Sequence, residues 1–167
     1  MLLKDQGVDL NRYQVIPRTL IFVFDTKSRV LLIKGSQAKS LWSGMLNGIG
    51  GHIEQGEDIY QAAKRELLEE TGLTDISLCF CGQIMADVRE NTGVCLFIFR
   101  GDFQTGSLVS SSEGELFWVD LDQLGEFLLV KDLPVLIPRV MAYQPFDPLI
   151  IGKYIRRADG NLEILLR

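Results

Sequence analysis

The stretch from Asp58 to Thr71 constrains this chain most, because it reads as an amphipathic helix that carries acids within its apolar side. At about 100° per residue, Ile59, Ala62, Ala63 and Leu67 fall on one side, and Glu66 and Glu70 project into the middle of it. An ordinary surface helix sets its acids opposite the apolar stripe. Carboxylates inside the stripe must face a cleft, a metal or a cationic partner, since burying them unpaired is costly. Glu66, Glu69 and Glu70 stand at i, i+3 and i+4. They share one face, where like charges repel by roughly a few tenths of a kcal/mol. A lone E-x-x-E-E could be a solvated acidic face. A hard cation such as Mg²⁺ or Mn²⁺ would instead turn the repulsion into ligation. Arg65, within i+4 reach of Glu69, is one cationic partner.

The flanks favour the second reading. Gly48, Gly50, Gly51 and Gly56 crowd the approach to the helix, after the run Leu41 to Leu46. That density suits tight turns and close approach of backbone to a ligand. Glu57 and Asp58 bring negative charge and a cap to the helix N-terminus, and Gly72 supplies the stop.

Loop, acidic helix and glycine stop together resemble the Nudix box, G-x5-E-x7-R-E-U-x-E-E-x-G-U with U aliphatic, at every defined position. Gly51, Glu57, Arg65, Glu66, Leu67, Glu69, Glu70, Gly72 and Leu73 carry the match. The resemblance implies an α/β/α sandwich with a mixed β-sheet, and a Mg²⁺- or Mn²⁺-dependent hydrolase of nucleoside diphosphates linked to another group. It also implies roles. Glu66, Glu69 and Glu70 would be metal ligands, with Glu69 the candidate base for the attacking water. Arg65 would orient a glutamate, and Glu57 would pair with it or reach metal through water. The backbone carbonyl of Gly50 or Gly51 would be a further ligand. Glu113, five residues before Trp118, is either an extra ligand opposite the helix or a solvated loop acid beside Ser110 to Ser112.

Composition sets outer bounds. A chain of 167 residues with 47% hydrophobic residues fits one domain, 1–167, with a substantial core. The net charge of −5 and a pI near 4.9 argue against a duplex-nucleic-acid surface. No apolar run reaches the roughly 18 residues of a membrane span, and Met1 to Asn11 does not read as a signal peptide. Cys79, Cys81 and Cys95 lie in apolar runs without the ligand spacing of a zinc site, and are expected as buried thiols in a reducing cytoplasm. A homodimer is compatible with the chain, though nothing in the sequence fixes oligomeric state.

Alternation and turn residues predict strands over 18–25, 29–34, 77–88, 94–103, 115–120, 149–157 and 162–166. A short helix is predicted over 121–127 and a longer one over 134–143, with a turn at Ala158 to Asn161.

The substrate signals are more diffuse. Leu46-Asn47-Gly48-Ile49-Gly50-Gly51 resembles the W-N-G-F-G-G stretch of oxidised purine nucleoside triphosphatases, whose Asn meets the purine edge. Asn47 is alternatively a turn residue. Val130-Lys131-Asp132 resembles the same group's segment, in which the Asp contacts the base. That group's stacking Trp residues correspond here to Leu46 and Val130. Their loss would weaken base binding by roughly 1–3 kcal/mol per contact, unless Trp42, Phe22 or Phe24 compensates. Lys34 and Lys39 are candidate phosphate contacts or plain solvent charges. The expected ligand is a nucleotide or other nucleoside diphosphate derivative: a triphosphate first, ADP-ribose or a dinucleoside polyphosphate second. A binding-only module, which would usually lack a box glutamate, comes last.

Overall fold

The computed structural model describes residue 9 and residues 11–35, 43–112, 114–157 and 162–167. The strands are β1 (Gln14–Phe24), β2 (Arg29–Gly35), β3 (Leu46–Asn47), β4 (Leu78–Arg89), β5 (Thr92–Asp102), β6 (Gly114–Asp120), β7 (Ile150–Arg156) and β8 (Leu162–Leu166). They make one mixed sheet in the order β3-β2-β1-β5-β4-β7-β8, with β6 pairing β2. Helix α1 spans Ile59–Thr71, α2 spans Leu133–Ala142, and Leu121–Glu126 form a 3-10 helix.

The alternation along β1 builds the layers. Ile21 and Val23 join Ala63 and Leu67 of α1 in one core, while Leu20, Phe22 and Phe24 join Leu133, Leu136, Ile137 and Val140 of α2 in the other. The sheet therefore lies between the two helices, the expected α/β/α sandwich. β1 pairs with β5 in parallel over its whole length, from Gln14↔Thr92 to Phe24↔Asp102. It meets β2 in the register Val23↔Leu31 and Phe24↔Val30. The glycine-rich segment takes the rest of that edge. Thr19 N–H donates to the Gly51 carbonyl at 2.8 Å, Ile21 N–H to Ile49 at 2.7 Å, and Ile53 N–H to Pro17 at 3.1 Å. The segment is thus strand-like and fixed to the sheet rather than a free loop.

Helix α1 starts and stops where its sequence says. Asp58 Oδ1 accepts from the Tyr60 and Gln61 amides at 2.8 and 2.9 Å, and the Gln61 side chain accepts from Asp58 N–H at 2.9 Å, a reciprocal capping box. Gly72 adopts φ +75° and donates its N–H to Leu68 O at 2.8 Å.

Three differences from expectation have physical causes. β1 begins at Gln14 rather than Arg18, because β5 supplies partners to an exposed, Pro17-containing stretch with no alternation of its own. β3 was not expected, since two residues carry no period; pairing with Ile33 and Lys34 makes it a strand. Phe22 and Phe24 are core residues at 0% and 4% exposure, so neither compensates for a missing stacking Trp. Trp42, Lys39, Glu113 and the turn at Ala158 to Asn161 lie outside the described residues.

Candidate active site

Arg65 is the hub of the corner between α1 and the glycine segment. Its Nε and one terminal nitrogen grip both oxygens of Glu57 at 2.6 and 2.9 Å, a bidentate fork. The other terminal nitrogen reaches Glu66 at 2.8 Å and Glu69 at 3.2 Å. The His52 carbonyl takes the last donor at 2.9 Å. A guanidinium has five N–H donors in a planar fork, and here each has an acceptor. Glu57, followed by Glu66, pushes the Arg65 pKa up. Arg65 in turn holds the Glu57 carboxyl down at about 2, helped by the Glu54 N–H. Of the two places expected for Glu57, the structure shows the pairing with Arg65, and its Oε1 keeps a second lone pair.

The three helix glutamates divide by depth. Glu70 is buried at 2% exposure and accepts from Gly50 N–H at 2.9 Å. The Glu66 carboxylate packs on Gly51 so closely that a Cβ there would lie 2.4–2.7 Å from its atoms. Glycine at 51 is therefore required by this contact. Glu69 is the outermost, with 58% of its side chain exposed. Among the described residues no three His, Cys, Asp or Glu side chains converge into a ready-made metal cage. The chemistry of the corner nevertheless suits a hard divalent cation. Three carboxylates, those of Glu57, Glu66 and Glu69, share one guanidinium, Glu70 follows on the same helix, and every side-chain donor offered is oxygen. The Gly51 carbonyl, an expected ligand, already accepts from Thr19 N–H, which leaves it one lone pair.

The other expected residues lie on other elements, β2, β3 and the start of α2. Asp132 is buried at the start of α2 and accepts a hydrogen bond from the Tyr154 hydroxyl of β7. Burial and the Asp132 charge push the Tyr154 pKa up. Asn47 sits across from Ile33 on β3, and its Oδ1 accepts from Gly48 N–H at 2.8 Å. Lys34 is exposed on β2, opposite Glu115 of β6. Tyr154 escaped sequence reasoning. A tyrosine in an alternating strand is ordinary, and only the fold shows that its hydroxyl meets Asp132.

A family model for the NUDIX domain matches residues 15–140. The chain belongs to the Nudix family. It is a Nudix hydrolase, a class that uses divalent metal ions. It is 39% identical over 107 residues to a protein from Danio rerio named oxidized purine nucleoside triphosphate hydrolase, covering 64% of this chain and 67% of that one. A Mus musculus protein of the same name is 37% identical over 107 residues, with the same coverage. The crystal structure of a MutT protein from Bacillus halodurans superposes with a TM-score of 0.74 at 26% identity, covering 91% of this chain and 97% of that one. The cysteines of this Nudix hydrolase are free thiols; Cys81 and Cys95 are buried and Cys79 is half-buried. Burial pushes the Cys81 pKa up to about 12. No helix among the described residues is long and apolar enough to cross a membrane.

Proposed function

We propose that this Nudix hydrolase converts nucleoside triphosphates to nucleoside monophosphate and pyrophosphate, with oxidised purines preferred. Asp132 carries the reading. It is a buried carboxylate, an acceptor while ionised, and it suits the N–H donors on a purine edge. The names of the two vertebrate relatives support the same substrate class. Glu66, Glu69 and Glu70, with a glycine backbone carbonyl, would hold Mg²⁺ or Mn²⁺. When bound, such an ion supplies charge neutralisation at the phosphates and a more acidic water. Glu69, the exposed member, takes the proton as the water oxygen bonds to phosphorus and pyrophosphate leaves. Arg65 fixes the Glu66 and Glu69 carboxylates, and Glu57 fixes Arg65. The reading takes residues 1–167 as one domain, since β7 and β8, beyond the matched residues, extend the same sheet.

Product analysis on 8-oxo-dGTP, the normal dNTPs, ADP-ribose and diadenosine polyphosphates, with Mg²⁺, Mn²⁺ or EDTA, tests the proposal. Pyrophosphate release should be fastest on 8-oxo-dGTP and vanish with EDTA. Ribose 5-phosphate from ADP-ribose as the sole product would overturn the substrate class and keep the chemistry. Glu69→Gln should lower kcat by roughly 10²- to 10⁴-fold, and an undiminished rate would remove Glu69 as base.

A further inference from the structure

The α2 side of the sheet has a stretch that the helix leaves open. Arg18, Leu96, Ile84 and Gly152 are neighbours in register across β1, β5, β4 and β7. The adjacent row holds Ile16, Val94 and Ala86, with Tyr154 two residues beyond Gly152 on β7. Residues in register project to one face. Leu96, Ile84 and Tyr154 pack with the α2-side core, so both rows belong to that face. β5 is central in the sheet, yet its Val94 and Leu96 are only half-buried. The open part of this apolar floor is the patch of Ile16, Val94, Leu96 and Ala86; Ile84 and Gly152, toward β7, are covered.

Each end of this floor carries a polar group. Asp132, held by Tyr154, stands at the β7 end. Arg18 stands at the β1 end, and its Nε is buried with no hydrogen-bond partner. No ion pair among the described residues involves it. A buried donor without an acceptor destabilises the free protein, and a ligand that brings an acceptor removes that cost. An anionic acceptor suits a guanidinium best, and the backbone around Arg18 leads toward the acidic helix. Arg18 bridges His52 across the antiparallel edge, the His52 carbonyl is held by Arg65, and the Gly51 carbonyl is held by the next residue of β1, Thr19. The main chain at the Arg18 end thus lies at the sheet edge that holds the segment leading into the acidic helix, which itself packs on the other face. Three strand spacings, about 14 Å, separate β1 from β7. That span is of the order of a base, a sugar and one phosphate, with the open patch of Val94, Leu96 and Ala86 between its ends.

We propose that Arg18 is a substrate-binding residue that grips the phosphate attached to the sugar, with the base lying on the apolar floor toward Asp132. Arg18 thereby sets how far the phosphate chain extends over Gly51 and α1. The assignment rests on the nucleotide reading above, although it needs no particular base. A guanidinium fork matches a phosphate in both charge and geometry.

The test is calorimetric binding without metal, using the full chain as wild type, Arg18→Met and Arg18→Lys. The probes are 8-oxo-dGMP with 8-oxo-deoxyguanosine, and AMP with adenosine; the thermal midpoint of each variant is also measured. Arg18→Met should weaken the preferred monophosphate by about 10- to 100-fold and leave its nucleoside within about twofold. Its Tm should equal or exceed that of wild type, because an apolar side chain replaces an unpaired donor. Arg18→Lys should recover part of the affinity. Equal losses on nucleoside and monophosphate, or a wild type that gains nothing from the phosphate on either base, would overturn the assignment. So would a lowered Tm with unchanged affinity. If wild type prefers the adenine pair, the oxidised-purine reading fails, and the Arg18 contrast is read from AMP against adenosine.

Discussion

The α1 corner and the open floor beyond Arg18 treat charge in opposite ways. In the corner every N–H donor of Arg65 has an acceptor, and Glu57, Glu66 and Glu69 are held by it. On the floor Arg18 keeps a buried Nε without one. The corner is finished by its own residues, so its geometry exists before any ligand arrives, which is what pre-organised chemistry requires. The floor is finished only by a ligand, which is how a site ties affinity to the right partner. On the function proposed above, chemistry and selection fall to separate regions joined through β1 and the glycine segment.

The strongest way to break the contrast is Gly51→Ala. A Cβ 2.4 Å from the Glu66 carboxylate would force that side chain out of place. We expect kcat to fall by about 100-fold with the affinity for a monophosphate unchanged, measured by steady-state kinetics beside metal-free calorimetry. Next comes Arg65→Lys, which keeps the charge and loses the fork. It should cost about 10- to 100-fold in activity or metal affinity, again without changing metal-free nucleotide binding. If either variant loses nucleotide affinity to the same degree, the two regions are one site and the comparison fails. The smallest effect is on acid stability. The Glu57 pKa is lowered from 4.5 to about 2, so its contribution is complete above pH 4.5 and is lost as pH falls toward 2. The Tm difference between wild type and Glu57→Gln should be largest near neutrality and close across that window.

The same division explains what could be read in the chain. Helix α1 is legible because its signals are local: Asp58 caps, Gly72 stops, and the apolar stripe gives its period, while the reciprocal bond of Gln61 appears only in the structure. The pairing of Arg65 with Glu69 one turn on is local in the same way. The role of Glu57 was only half legible, because the loop must fold back for it to grip Arg65 eight residues on. β3, the first four residues of β1, the Tyr154–Asp132 contact and the isolation of Arg18 all depend on residues far apart in sequence. None of them leaves a periodic trace.

The parallel pairing of β1 with β5 has a kinetic consequence. Gln14 finds its partner at Thr92, so the chain must close a long loop, with its entropy cost, before those strands reward it. α1 can nucleate early on its own capping signals, but the glycine segment has an edge to dock on only once β1 is held. Competence for turnover should therefore emerge late in refolding, after most helical signal has returned.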